Sequence, residues 1–225
     1  MGEIIEFKGN GQTYTGYLSA APNGGPAVIV IQEWWGLVDH IKDIADRFAG
    51  AGFTALAPDF YHGKTTKSPD EAGKLFMALN ISDAEKVLKG AIDALLSNSK
   101  CTSKTIGVVG FCMGGQLALY AASKNPDKIS ACVVFYGIHP NVKPDYEKIK
   151  AHVLGFFGEK DSSVSPEKVK ALSEKLKAAG VQHNFHIYPG LDHGFFNDTR
   201  PEVYDANASA DAWNKMLEFF RTNIK

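Results

Sequence analysis

The chain is poor in arginine and has neither a basic block nor a long apolar run. Its 225 residues include only three arginines, and lysines interspersed with acidic residues give a net charge of -1 at pH 7. A protein that binds nucleic acid or an anionic membrane surface usually carries a basic patch. A membrane-spanning helix needs roughly 20 apolar residues in succession, and no run approaches that length. The first residues also lack the basic and apolar segments of a signal peptide. We therefore expect no nucleic-acid partner, no membrane association and no signal peptide.

Cysteine is also scarce, and its spacing excludes two common uses. Cys101, Cys112 and Cys132 are the three cysteines. An odd number without paired spacing does not predict a disulfide framework. The cysteines and histidines lack the spacing of zinc ligands, so we expect no metal and no cofactor. Free thiols are typical of a reducing compartment, which predicts a cytoplasmic protein.

The apolar pattern predicts an α/β fold. Two alternating segments, 4–8 and 12–19, flank Gly9-Asn10-Gly11, which is a strong signal for a β-hairpin. After the hairpin, predicted strands alternate with amphipathic helices, which favours one mostly parallel sheet of about eight strands with helices on both faces. The later strands are predicted at 27–32, 54–58, 104–110, 129–136, 151–157 and 182–188. Helices are predicted at 40–50, 68–76, 82–97, 116–124, 165–179 and 206–222.

One segment has the pattern of a nucleophile elbow. Gly110-Phe111-Cys112-Met113-Gly114 follows a β-branched run and precedes a helical pattern. In a nucleophile elbow the reactive side chain lies at a sharp turn between strand and helix, although most such enzymes carry serine there. Glycines suit the turn because a Cβ would collide with the neighbouring strand or helix. The alternative is that Cys112 is a small buried hydrophobic residue. These five residues alone leave both interpretations open.

Polar side chains at the predicted strand ends favour the catalytic interpretation. Parallel sheets bind their ligands at the carboxyl ends of the strands. A cysteine, an aspartate and a histidine occur there in the chain order of an α/β-hydrolase catalytic triad. The residues at these ends are Glu33, Asp59, Cys112, His139, Asp161 and His193.

Six segments together resemble the dienelactone hydrolase family, a family of carboxymethylenebutenolidase-like α/β-hydrolases. They occur in the family's order and extend over nearly the whole chain. The segments are QEWWG at 32–36, APDFY at 57–61, GFCMGG at 110–115, FYG at 135–137, GEKD at 158–161 and YPGLDHGF at 188–195. The resemblance implies a single α/β-hydrolase domain over residues 1–225 that hydrolyses small esters or lactones.

The resemblance also implies roles for individual residues. Cys112 matches the nucleophile, His193 the base and Asp161 the residue that orients the base, while Glu33 matches a glutamate that contacts the resting thiol. A thiol is mostly protonated at pH 7, and a nearby imidazole and a helix N-terminus favour the reactive thiolate. The expected chemistry is a thioester acyl-enzyme followed by hydrolysis.

Backbone N–H groups are the expected oxyanion donors. One belongs to Met113, directly after the nucleophile, and the other to Trp34, at the end of the third strand. Further residues near the strand ends are predicted to line a small, partly apolar pocket. These are Trp35, Phe60, Tyr61, Lys64, Tyr136, Phe195, Asn197 and Arg200.

The chain departs from the family at the positions that recognise a substrate carboxylate. Well-known members carry arginine at two places where this chain has Gly63, beside Lys64, and Asn197. Lysine lacks the planar fork with which arginine binds a carboxylate. We therefore predict hydrolysis of esters, lactones or thioesters with little dependence on a free carboxylate.

Other classes of function stay open at this stage. Cys112 could be a redox-sensing thiol, although no resolving cysteine is apparent, or the fold could bind a small molecule without catalysis. Among the other strand-end residues, Asp59 is predicted to brace its loop, and His62 and His139 to be solvated or at the edge of the pocket. Cys101 is predicted in a surface loop. The substrate is the only expected partner, and a monomer is slightly favoured.

Overall fold

Eight strands form one sheet, which a computed structural model describes together with the rest of residues 2–225. The order across the sheet is β1-β2-β4-β3-β5-β6-β7-β8. The first two strands form the hairpin, β2 pairs antiparallel with β4, and every later pairing is parallel. The strands are β1 Glu3–Gly9, β2 Gln12–Ala20, β3 Gly25–Ile31, β4 Thr54–Pro58, β5 Cys101–Phe111, β6 Ile129–Phe135, β7 His152–Gly158 and β8 His183–Tyr188.

Helices cover both faces of this sheet, as the sequence predicts. On one face α1 and α6 meet through the rings of Phe48 and Phe220, whose centroids are 5.8 Å apart. On the other face α3 and α4 are adjacent, and the Tyr120 hydroxyl donates to Glu85 at 2.6 Å. The helices are α1 Asp39–Gly50, α2 Pro69–Met77, α3 Ile81–Leu96, α4 Met113–Lys124, α5 Pro166–Ala178 and α6 Ala206–Asn223. None of those within residues 2–225 has the length and apolarity needed to cross a membrane.

The predicted element boundaries agree with the structure to within a few residues, with one wrong placement. Cys101 begins β5 instead of lying in a surface loop, and it is half-buried. The first part of β5 is hard to recognise because residues 101–105 alternate between exposed and half-buried positions. Only the later part, from Ile106, has the continuous apolar character of a central strand.

Aromatic packing between α1 and α6 is expected to contribute strongly to stability. Phe220 is fully buried, and its ring lies 6.4 Å from that of Phe53 as well as against Phe48. Phe220→Ala should lower the free energy of unfolding by about 3–5 kcal/mol, because it removes buried apolar surface and leaves a cavity. Urea denaturation checks this value. The matched control is Met77→Ala, at a side chain that is 56% exposed, where a change within about 0.5 kcal/mol is expected. Equal losses for the two variants would contradict the prediction.

Candidate active site

Cys112 occupies a strained turn between β5 and α4. Its backbone has φ 54° and ψ −119°, a region that residues with a side chain rarely adopt. Phe111 ends the strand and Met113 begins the helix, so a single residue makes the turn. The helix therefore begins three residues earlier than predicted, and its first backbone N–H groups lie beside the thiol. This is the geometry of a nucleophile elbow.

Two glycines make this turn sterically possible. A Cβ added to Gly110 would lie 1.9 Å from the carbonyl oxygen of Gly114. A Cβ on Gly114 would lie 2.5 Å from the carbonyl oxygens of Ile31 and Gln32. Both contacts involve backbone atoms, which cannot move aside as a flexible side chain can. The glycines therefore allow the helix to approach the ends of β5 and β3 closely.

A second buried cysteine provides a useful comparison with Cys112. Cys132 is fully enclosed in the middle of β6, and burial raises the pKa of its thiol because no charged partner compensates for lost solvation. Cys112 is 8% exposed and lies at a strand end. Cys132 is thus a buried cysteine inside a strand, whereas Cys112 lies at a strand end near His193.

Asp161 is held as a carboxylate directly after β7. It is 1% exposed, and burial alone would raise its pKa. Hydrogen bonds from His193 at 2.7 Å and from the backbone N–H groups of Ser163 and Val164, each at 2.8 Å, outweigh that effect and lower the pKa. The charged form of Asp161 is therefore solvated by fixed donors in place of water.

His193 connects Asp161 to Cys112. Its Nδ1 atom lies 2.7 Å from Asp161 Oδ2, which leaves Nε2 for the hydrogen bond to Cys112. Burial alone lowers the pKa of His193, but the hydrogen bonds to Asp161 and Cys112 outweigh burial and raise the pKa to about 10. The arrangement therefore favours a proton on the imidazole of His193.

Glu33 lies next to the elbow because of strand register. Ile31 of β3 pairs with Gly110 of β5, and Glu33 and Cys112 each follow two residues later. Glu33 is 3% exposed, and Asn197 Nδ2 donates to its Oε2 at 2.7 Å. Glu33 is therefore not a solvated strand-end carboxylate, because Asn197 in the loop after His193 covers this strand end.

Tyr136 forms part of the wall around the histidine. Its backbone also has a positive φ, 38°, and its ring centroid lies 4.8 Å from that of His193. The hydroxyl is buried and has no hydrogen-bond partner among the described residues. Phe195 is fully buried and packs against Tyr136 with ring centroids 5.6 Å apart. Phe195 therefore supports the wall from behind rather than facing a substrate.

An aromatic cluster bridges from the end of β3 to the loop after β6. Phe76, in α2, packs its ring on Trp34 and on His139, with centroids 6.5 Å and 4.3 Å apart. Of the two predicted placements of His139, solvated or at the edge of the pocket, the solvated one is wrong, since the residue is 4% exposed. Its Nε2 donates to the Phe76 carbonyl at 2.8 Å and its Nδ1 accepts from Asn141 N–H, which defines a neutral ring. Burial also lowers the pKa of His139.

The loop after β4 is braced by Asp59, as predicted. Its carboxylate accepts from the backbone N–H groups of Tyr61, at 2.9 Å, and Gly63. Tyr61 in turn donates its hydroxyl to Met113 Sδ at 3.2 Å and so packs on the elbow. Phe60 is buried and donates its backbone N–H to Gln32 Oε1 at 3.3 Å.

Lys64 and Arg200 are the two basic residues predicted in the pocket. The Lys64 side chain is exposed on the outside of its loop. Arg200 lies over Trp35, with 6.0 Å from its guanidinium carbon to the ring centroid, and its Nε donates to Glu202 at 2.9 Å. A Cβ on Gly194 would lie 3.2 Å from the Arg200 guanidinium, so the arginine flanks the histidine loop.

Sequence reasoning missed two residues that shape the site. Phe76 is a helix residue whose contact with Trp34 depends on how α2 packs. Thr199 donates to Asn197 Oδ1 through both its backbone N–H and its hydroxyl, at 3.0 Å and 2.6 Å. No local pattern marks either residue, because both act through contacts that only the folded chain creates.

The family assignment agrees with this geometry. The family model described as "Dienelactone hydrolase family" matches residues 14–224. The chain belongs to the dienelactone hydrolase family. It is therefore a carboxylic ester hydrolase of the dienelactone hydrolase type, with the α/β-hydrolase fold that the six sequence segments predicted.

Relatives match over the full length of the chain. "Protein usf" of Aquifex pyrophilus is 41% identical, with 98% of each chain covered. A protein of Aquifex aeolicus named "Putative carboxymethylenebutenolidase" is 34% identical, with 100% of each chain covered. The solved structure of a dienelactone hydrolase-like promiscuous phosphotriesterase from metagenomic libraries shares the fold. It has a TM-score of 0.88 and 24% identity, and covers 100% of this chain and 99% of its own.

Proposed function

We propose that this hydrolase cleaves small esters or lactones through a Cys112–His193–Asp161 triad and a thioester acyl-enzyme. The observation that carries the proposal is the 2.7 Å contact between Asp161 and His193 beside a cysteine in a strained elbow. A nucleophile, a base within its reach and a residue that orients the base are the parts that covalent acyl transfer requires.

Acylation begins with the Cys112 thiolate, which attacks the carbonyl carbon and forms the C–S bond. The carbonyl electrons move to oxygen, and backbone N–H groups of Met113 and Trp34 stabilise that oxyanion. When the oxyanion collapses, the bond to the alcohol oxygen breaks and protonated His193 gives its proton to the leaving alkoxide. The product is a thioester and an alcohol, which stays attached to the acyl group when the substrate is a lactone.

Hydrolysis of the thioester uses the same residues, with water as the attacking group and the Cys112 thiolate as the leaving group. Neutral His193 takes a proton from a water molecule, whose oxygen attacks the thioester carbonyl carbon. Collapse of the second oxyanion breaks the C–S bond and releases a carboxylic acid and the thiolate. Asp161 stays ionised throughout and keeps the imidazole in the required tautomer and orientation.

The setting is proposed to be a single catalytic domain in a reducing cytoplasm. Three free cysteines, of which one is the proposed nucleophile, support that setting. An oxidising compartment would expose the Cys112 thiolate to irreversible loss.

Trapping the acyl-enzyme tests the proposed function. Brief incubation with p-nitrophenyl acetate at low pH, followed by acid quenching and intact-mass measurement, should show one acetyl group, which peptide mapping assigns to Cys112. The adduct should be absent in Cys112→Ala and retained in Cys101→Ser, because Cys101 lies outside the site. Acetylation that persists in Cys112→Ala, or turnover without an adduct on Cys112, would contradict the mechanism. Oxidation of Cys112 by peroxide without any acylation would favour the thiol sensor instead.

A further inference from the structure

Glu33 is a buried carboxylate without a cationic partner. It is 3% exposed, and no lysine, arginine or histidine within residues 2–225 forms a salt bridge with it. Its side chain is held by the neutral amide of Asn197, at 2.7 Å. A buried charge is usually paired, because the loss of solvation is costly. An anionic group that binds beside Glu33 would therefore add a second negative group without a cationic partner.

The orientation of the Asn197 amide is determined by Thr199. Asn197 is 1% exposed, and its Oδ1 accepts from the Thr199 backbone N–H at 3.0 Å and the hydroxyl at 2.6 Å. The oxygen end of the amide is thereby occupied, and the NH₂ end must face Glu33. Asn197 thus fixes the position of the Glu33 carboxylate without neutralising it.

The neighbouring cations are engaged elsewhere. Arg200 pairs with Glu202 at 2.9 Å, and Arg47 lies over the ring of Trp213, 4.4 Å from its centroid. The charge on His193 is shared between Asp161 and the proposed thiolate. None of these three cations therefore pairs with Glu33 in the part of the chain that the structure describes.

The Tyr136 hydroxyl lies in a buried environment near Glu33 and Cys112. Burial and then the negative charges of Glu33 and Cys112 raise the pKa of its hydroxyl, and the weaker effect of the Arg200 charge opposes them. The buried hydroxyl has no partner among the described residues. As a buried neutral group, it supplies no positive charge to the pocket.

We infer that Glu33, which Asn197 holds without supplying a positive charge, makes the site select acyl groups that carry no negative charge. The inference rests on the proposed function, since it assigns the substrate class of the same site. An anionic acyl group would approach both a fixed carboxylate and a thiolate at short range, where the local dielectric is low. A neutral ester or lactone would meet only the hydrogen-bond donors.

Alkylation of Cys112 tests this inference without requiring turnover. The probes are neutral iodoacetamide and anionic iodoacetate, with peptide mapping used to follow Cys112 alone. For each variant, the rate constant with iodoacetamide is divided by the rate constant with iodoacetate. This ratio is then divided by the same ratio measured for a peptide that carries a free thiol. Wild type should favour iodoacetamide by at least about tenfold after this correction. Asn197→Arg should reduce that preference about tenfold, because its guanidinium pairs with Glu33, and Glu33→Gln should reduce it similarly.

Two controls separate the charge at this site from general effects. Asn23→Arg adds the same charge in the exposed turn before β3, at the end of that strand opposite Glu33. This variant should leave the corrected ratio of the two alkylation rate constants unchanged. Asn197→Leu removes the hydrogen bond without adding a charge and should keep the preference for the neutral reagent. A wild-type ratio equal to that of the peptide, or one that Asn197→Arg leaves unaltered, would overturn the inference.

Turnover provides the second measurement. We expect kcat/KM of wild type to be higher for p-nitrophenyl butyrate than for the p-nitrophenyl hemiester of succinate, relative to their rates of alkaline hydrolysis. Asn197→Arg should reduce the difference in kcat/KM between the two esters, mainly by lowering KM for the anionic ester. Absence of turnover of both esters by wild type would count against the proposed function, whereas the alkylation ratios would still decide the inference about charge.

Discussion

Replacing Cys112 with alanine is expected to lower kcat for a p-nitrophenyl ester by about 10⁶, the loss that removal of a triad nucleophile causes in comparable hydrolases. The proposed mechanism requires a covalent bond to Sγ, which alanine cannot form. Residual activity should come from the oxyanion donors and from binding alone. Initial rates measured under single-turnover and steady-state conditions provide the check.

The control for this prediction is Cys101→Ala. Cys101 is half-buried at the start of β5, at the end of the strand opposite the elbow, so the activity of this variant should match that of wild type. Cys112→Ala should remain folded, since alanine tolerates the positive φ of the turn about as well as cysteine does. Thermal unfolding of the variant should therefore stay close to that of wild type. Activity above about one hundredth of wild type in a folded Cys112→Ala would mean that another nucleophile is used.

The positions of the three residues of the proposed triad could be predicted because each is subject to strong local constraints. Cys112 lies between two glycines that the close approach of β5, β3 and α4 requires. Asp161 and His193 each follow a strand of the parallel sheet, and the carboxyl ends of β7 and β8 are neighbours. Strand order therefore brings together residues that are 32 positions apart in the chain.

The environment of Glu33 could be predicted only in part. Its place beside Cys112 follows from the register of β3 and β5. Its burial and its hydrogen bond with Asn197 cannot be predicted from this register. They depend on the path of the loop that carries Asn197 and Thr199 after the last strand. Loops lack the periodicity from which a strand or helix is recognised. The contact of Phe76 with Trp34 is invisible in the sequence for the same reason.

Replacing Asp161 with asparagine is expected to lower kcat/KM by about 10⁴, with little effect on the fold of the site. Asparagine has nearly the same shape, but its amide can present an NH₂ group to His193 Nδ1. That contact favours the tautomer in which Nε2 carries the proton, which prevents it from accepting the thiol proton. Asp192→Asn is the matched control. Asp192 accepts from the His193 backbone N–H at 2.8 Å and does not contact the ring, so less than a tenfold loss is expected.

The same variant, Asp161→Asn, should change the pH dependence of stability in a defined direction. The pKa of His193 is raised from 6.5 to about 10 in the folded protein, so the protonated histidine contributes stability that is fully present below pH 6.5 and lost as the pH rises to about 10. The substitution would remove the carboxylate that supports this proton. The difference in unfolding free energy between wild type and Asp161→Asn should therefore be larger at pH 6 than at pH 10. Urea denaturation at both pH values measures this difference in unfolding free energy. If the difference between wild type and Asp161→Asn grew with pH, Asp161 would not stabilise a protonated His193.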